Sequence, residues 1–121
     1  MAKGKADPAA AGVLRRFAEE VFGLMGEKAA GVVLFGSRAR GDHRPSSDYD
    51  ILVLHSTNQD EAVDAAAEAA MRVSAELRVG VEPIAMRVSE FWHGSSYFLE
   101  RVRKEGTLIY LNGDGSEVKR R

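Results

Sequence analysis

At 121 residues, with 45% hydrophobic and 29% charged residues, the chain has the length of one folded domain and too little sequence for a second substrate domain beside it. Its 17 Lys and Arg against 18 Asp and Glu leave a formal net charge of −1, so no global field draws it to nucleic acid or an anionic membrane, and bulk nucleic-acid binding is not expected. The absence of cysteine excludes disulfide frameworks and thiolate metal sites, and no run approaches a bilayer-spanning length, so a soluble, cytoplasmic protein is expected.

Residues 1–5 are basic but lead into charged, amphipathic sequence rather than an apolar leader. Asp7 followed by Pro8 predicts a helix start, with a side-chain acceptor at the cap and proline at the first helical position. Val13, Phe17, Val21 and Leu24 recur at helical spacing with Arg15, Arg16, Glu19 and Glu20 on the other face, so a core-packing helix is expected to end near Gly26. Residues 32–35 are apolar at every position, as in a strand covered on both faces.

That run stops at Gly36-Ser37. Gly36 can adopt a backbone conformation closed to other residues and lets a ligand come close. Ser37 then opens a short helix with a hydroxyl and unpaired N–H groups, the arrangement that binds phosphate. Arg38, Arg40 and Arg44 lie in or just beyond this cradle, and the arginine fork matches phosphate oxygens. Residues 41–47 have turn chemistry, and Asp42 and His43 within them are assigned to water rather than to a site.

The next strand opens with Asp48 and Asp50, which alternate onto one face with their Cα atoms about 7 Å apart. Such acids call for a positive charge between them, and a hard divalent cation such as Mg²⁺ takes one or two carboxylates together with substrate phosphates. Asp-x-Asp alone also reads as a turn cap. With a phosphate cradle on the neighbouring strand, the two elements make one site for a metal-nucleotide.

Residues 51–54 continue into the core, and Thr57 or Asn58 caps a helix that runs to about Leu77. Its apolar stripe is read as Val63, Ala66, Ala70, Val73 and Leu77, with Asp60, Glu61, Asp64 and Glu68 solvated and the early acids suited to the helix dipole. Residues 79–88 read as a third strand, in which Pro83 favours an edge or a bulge. Glu82 stands there among apolar neighbours, where a lone acid is costly to bury. Residues 89–92 read as a helical turn, and Ser95 or Ser96 caps another helix through Glu105, stopped by Gly106, with Phe98, Leu99 and Val102 inward. Trp92 and Tyr97 are assigned to core or interface rather than to base stacking. Residues 107–111 read as a short strand and 113–121 as a polar, mobile tail, so the domain is expected to cover 1–112.

Gly36-Ser37, ten intervening residues and Asp48-Tyr49-Asp50 resemble the Gly-Ser-x10-Asp-x-Asp signature of the minimal nucleotidyltransferases, the smallest members of the DNA polymerase beta-like superfamily. The likeness extends through Gly36-Ser37-Arg38-Ala39-Arg40-Gly41 and Ser46-Ser47-Asp48. It implies an α/β fold with a short mixed sheet flanked by helices. It also implies that Asp48 and Asp50 hold two Mg²⁺ ions, with a third carboxylate on the adjacent strand as metal ligand or base. Glu82 is the position that matches that carboxylate. Gly36, Ser37, Arg38 and Arg40 would then hold the phosphates of a nucleoside triphosphate, ATP being favoured, while pyrophosphate leaves. Stand-alone members typically pair with a HEPN-type toxin as its antitoxin, some by adenylylating a tyrosine. A small-molecule, aminoglycoside-type nucleotidyltransferase and a non-catalytic binding antitoxin remain alternatives. No Gly-x-x-x-x-Gly-Lys loop or His-Glu-x-x-His helix points to a P-loop or zinc enzyme.

Overall fold

The computed structural model describes residues 7–105 and 108–113, and the backbone of 119–120. Strands β1 (Ala29–Phe35) and β2 (Tyr49–His55) carry apolar side chains on both faces, and they lie antiparallel at the centre of the sheet, where both faces are covered. β3 (Val81–Arg87) runs parallel to β2 and forms one edge. β4 (Leu108–Leu111) pairs antiparallel with β1, and the two-residue β5 (Lys119–Arg120) with β4, giving the order β3-β2-β1-β4-β5. The sheet is therefore mixed, as expected, and Pro83 occupies an edge strand, where a missing N–H costs least.

Helices α1 (Ala10–Met25) and α3 (Gln59–Leu77) cover one face, closing a core of Leu14, Phe17 and Val21 against Val32, Leu34, Ile51 and Val53. The short α2 (Ser37–Arg40) lies between β1 and β2 in the chain. Helices α4 (Val88–His93) and α5 (Tyr97–Lys104) cover the other face with Phe91, Leu99 and Val102 against Val33, Leu52, Leu54 and Ile109. The caps follow local chemistry. Asn58 Oδ1 accepts the Glu61 N–H at 2.7 Å, and Ser96 Oγ accepts the Leu99 N–H at 3.1 Å.

Four expectations shift. α1 starts at Ala10 rather than at Pro8: residues 8–9 form a turn, in which Asp7 Oδ1 accepts the Ala9 N–H at 3.0 Å while Oδ2 accepts from Arg38. Leu24 is exposed, and Leu14 and Met25 fill the inward positions. On α3 the buried stripe is Ala62, Ala66, Ala69, Ala70 and Val73, while Val63 and Leu77 fall on its exposed margins. The smallest side chains face the sheet and let the helix approach it closely. Phe98, expected inward, is 38% exposed.

Expectations for residues 1–5, for Gly106 as a helix stop, for Thr107 and for most of the tail lie outside the described residues. Among the described residues no helix is long and apolar enough to cross a membrane.

Candidate active site

Because β1 and β2 are antiparallel, the end of β1 lies beside the start of β2, with Phe35 opposite Asp50. Because β3 is parallel to β2, Glu82 falls opposite Asp50 on the other side. Phe35, Asp50 and Glu82 thus form one cross-sheet row, and side chains directly opposite share a face, here the face that carries α4 and α5. Asp48 stands exposed just before β2. Tyr49, between the two acids, is buried with the α1 and α3 core.

Two glycines let backbone close on the acids. Gly36 has φ 78° and ψ −161°, and a Cβ built on it overlaps Asp50 Oδ2. A Cβ on Gly80 overlaps Asp48 Oδ1, while the Gly80 carbonyl accepts the Tyr49 N–H at 2.8 Å. The turn after Gly36 coils at once into α2, where the Ala39 and Arg40 N–H groups both reach Gly36 O at 3.0 Å. Gly41, at φ 94°, ends it. The first N–H groups of such a turn have no intrahelical partner and point outward beside the Ser37 hydroxyl.

Asp50 is half-buried, and its carboxyl is pushed above the usual range, first by burial and then by the charges of Asp48 and Glu82, against the opposing pull of Arg40. Asp48 and Glu82 therefore both act on Asp50. Among the described residues, no three His, Cys, Asp or Glu side chains are drawn together into a complete metal cage. Mg²⁺ does not need one, since it keeps several waters and takes one or two carboxylates with substrate phosphates. An all-oxygen donor set that repels itself fits such an ion.

A cavity of about 320 Å³ adjoins this row, lined by Gly36, Ser37, Arg40 and Asp50 on one side and by Phe98, Arg101 and Glu105 on the other. Two larger hollows, of about 510 and 540 Å³, touch none of Ser37, Asp50 or Glu82. Arg40 bonds Glu105 at 3.1 Å and Asp42 at 3.2 Å. Glu82 is exposed on the edge strand.

Arg38 departs from its expected place at the phosphates. Its Nη1 donates to Asp7 Oδ2 at 2.8 Å, its Nε and Nη2 to Ser47 O at 3.2 and 2.9 Å, and its guanidinium stacks 4.5 Å from the centre of the Tyr49 ring. A buried carboxylate and a turn carbonyl lie on that side, and they hold the fork away from the cradle. The Tyr49 hydroxyl donates to the same Asp7 carboxylate. His43 is half-buried, with its Nδ1 shielded from solvent, so it does not simply face water.

This cluster fixes the turn that presents Asp48, and it carries a pH signature. Burial pushes the Asp7 carboxyl up, but hydrogen bonds from Tyr49 and the Ala9 N–H and the Arg38 charge outweigh it and hold it below its usual value of 3.8. A depressed folded value stabilises the fold above the unfolded value, and that contribution disappears as pH falls through the folded one. Asp7→Asn should lower stability by about 2 kcal/mol at pH 7, since it leaves Arg38 buried without its anion. In thermal melts the gap to wild type should close as pH falls through the depressed folded value of Asp7; a gap independent of pH would refute the pairing.

Gly80, Phe98, Arg101 and Glu105 were not singled out as site residues by sequence reasoning. Arg101 and Glu105 carried one signal, an i,i+4 pair of opposite charge, which by itself reads as an ordinary solvated helix pair.

Comparison with known proteins agrees with this geometry. The family described as polymerase beta, nucleotidyltransferase, matches residues 24–114. A proposed protein adenylyltransferase of Methanocaldococcus jannaschii is 38% identical over 42 residues, which are 35% of this chain and 42% of that protein. A crystal structure of a toxin–antitoxin with AMP-PNP superposes with a TM-score of 0.53 at 22% identity, covering 74% of this chain and 66% of that one. A mutant of the MntA–HpeT toxin–antitoxin gives 0.51 at 22% identity, covering 72% and 64%. The chain thus spans under half of the curated relative and just under two thirds of the solved chains, which share its fold. The family match runs from the end of α1 past β4, across every strand and turn that builds the acidic row, and the chain belongs to the polymerase beta nucleotidyltransferase family.

Proposed function

We propose that the chain transfers AMP from ATP to a hydroxyl of a partner protein, most specifically a tyrosine of a HEPN-type toxin, in a Mg²⁺-dependent reaction, and so acts as that toxin's antitoxin in the cytoplasm. The observation that carries this reading is the Gly36-Ser37 turn pressed onto Asp50, in the row that continues to Glu82.

In this reading Asp48 and Asp50 hold the metal, with Glu82 beside them. Bound there, Mg²⁺ supplies the positive charge that offsets the acids and polarises phosphate oxygens. Gly36 and Ser37 receive the outer phosphates through backbone N–H groups and the hydroxyl. Arg40 faces the same cavity and neutralises charge on the leaving pyrophosphate. Glu82, exposed at the open edge of the sheet, lies where an incoming hydroxyl can reach it, and takes its proton as the acceptor oxygen attacks the α-phosphorus and the bond to pyrophosphate breaks. Arg38 acts at one remove, by holding the turn before Asp48.

Family membership supports the chemistry, and the adenylyltransferase name of the M. jannaschii relative and the toxin–antitoxin likeness support a protein acceptor. The test is intact mass spectrometry of a HEPN-type partner co-expressed with the wild-type chain or with its Asp50→Asn variant. Addition of AMP units only with wild type is the expected result. A partner that co-purifies unmodified with both would make the chain a binding antitoxin, and neither outcome would move the search to small-molecule acceptors.

A further inference from the structure

One wall of the cavity comes from α5, and it carries an arginine, Arg101, bonded to a carboxylate, Glu105. Glu105 stands at the centre of it. Its Oε1 accepts Arg40 Nη1 at 3.1 Å, and its Oε2 accepts Arg101 Nη2 at 2.9 Å and Nε at 3.3 Å. One carboxylate thus serves two guanidinium forks, from elements far apart in the sequence, and Arg40 is also bonded to Asp42 at 3.2 Å, so two carboxylates balance the two forks. Glu105 is largely buried, whereas Arg101 is half exposed. Phe98, the exposed aromatic of α5, packs edge-on against Phe35 at 5.4 Å between ring centres and closes the floor.

We propose that α5 completes the polyphosphate site: Arg101 is a second phosphate-binding arginine beside Arg40, and Glu105 is an internal anion that holds both forks in place until a polyphosphate displaces it. The inference rests on the nucleotidyl-transfer reading of the same cavity. A guanidinium fork bonded sideways to one carboxylate is already arranged to receive two oxygens of a planar or tetrahedral anion. A triphosphate offers more oxygens and more charge than a single carboxylate, so it displaces Glu105, and a monophosphate or a lone carboxylate competes poorly. The contact therefore selects for chain length of the phosphate rather than for the base. The same cavity is lined by Asp50, which would hold the cation, and by Arg40 and Arg101, which would meet the phosphates once Glu105 is displaced.

Binding is measured by titration calorimetry with three probes: Mg²⁺·AMP-PNP, AMP, and inorganic tripolyphosphate without metal. Wild type, Arg101→Ala, Glu105→Gln and Ser37→Ala are compared, with melting temperatures recorded for each. Arg101→Ala should weaken AMP-PNP and tripolyphosphate about tenfold or more, the value of a lost charge-assisted contact, and AMP by no more than about twofold. Glu105→Gln should tighten both polyphosphates about threefold or more, because the competing charge is gone while the side-chain shape remains. Equal loss of AMP and polyphosphate in Arg101→Ala, or unchanged or weaker polyphosphate binding in Glu105→Gln, would overturn the proposal. Tripolyphosphate separates the two layers of argument. If Mg²⁺·AMP-PNP binds in a Ser37-dependent way but tripolyphosphate does not bind at all, the role of the α5 wall is wrong and the nucleotide reading stands. If tripolyphosphate binds through Arg101 and Mg²⁺·AMP-PNP does not, the wall is right and the nucleotide reading fails.

Discussion

Asp50→Asn should abolish metal-dependent transfer while raising the melting temperature of the metal-free protein. The two effects have one cause. Asp50 is held half-buried beside Asp48 and Glu82, and its carboxyl is raised by burial and by those two charges. An acid whose folded value lies above its unfolded value destabilises the fold wherever it is ionised, and the penalty is relieved as pH falls through the folded value. Asparagine keeps the shape and removes the charge, so at pH 7 without metal it should melt higher than wild type. As pH falls through the raised folded value, where Asp50 itself takes up a proton, the advantage should shrink.

Added Mg²⁺ should raise the melting temperature of wild type and leave Asp50→Asn nearly unmoved, because a ligand that binds only the folded state stabilises it by mass action. Transfer should fall on the order of 10³-fold, since metal charge stabilisation contributes several kcal/mol and each ~1.4 kcal/mol is tenfold. A variant that melts lower than wild type in EDTA, or that keeps transfer, would show that the acids do not form a metal site.

Gly36→Ala should be nearly as severe, and for a steric reason. At φ 78° and ψ −161° the backbone lies in a region that essentially only glycine occupies, at a cost of about 1–3 kcal/mol for any other residue. The added methyl would also overlap Asp50 Oδ2, so the carboxylate must move or the turn must open. Displacement of about 1 Å in a reacting constellation can cost about 100-fold, so transfer should fall by at least that much. Gly12→Ala is the control, because a Cβ there meets nothing within 4 Å, and on an exposed helical face it should stabilise by about 0.5–1 kcal/mol. Gly36→Ala with wild-type transfer would show that the close approach of turn and acid has no catalytic purpose.

Much of the architecture was legible before any coordinates. The apolar run ending at Gly36-Ser37 and the run opening with the acids became the two central strands, Pro83, read as marking an edge or a bulge, lies on an edge strand, and of the paired candidates Thr57 or Asn58 and Ser95 or Ser96 it is Asn58 and Ser96 that cap. These signals are local: side-chain period, cap chemistry and proline's missing donor act within a few residues. Glu82 was reached only through resemblance, and the parallel register of β3 is what sets it opposite Asp50.

The misreadings share the opposite property. Arg38 looked like a phosphate ligand because it follows the cradle, yet a carboxylate 31 residues earlier and a carbonyl nine residues later claim its donors. Val63 looked buried and Ala69 did not figure, because periodicity gives the angular spacing of a stripe but not which of two adjacent rows meets the sheet. Arg101 and Glu105 did not figure as site residues at all, and only the placement of α5 beside the cavity brings them there.

The sequence by itself determined the strands, the glycine turn and the pair of acids, because backbone conformation and strand alternation are properties of neighbouring residues. Only the tertiary structure decided which charges face one another. The partner of an arginine or an aspartate is set by strand register and helix placement, and it is long-range packing that brought Arg40, Arg101 and Glu105 together around the cavity that Asp50 also lines.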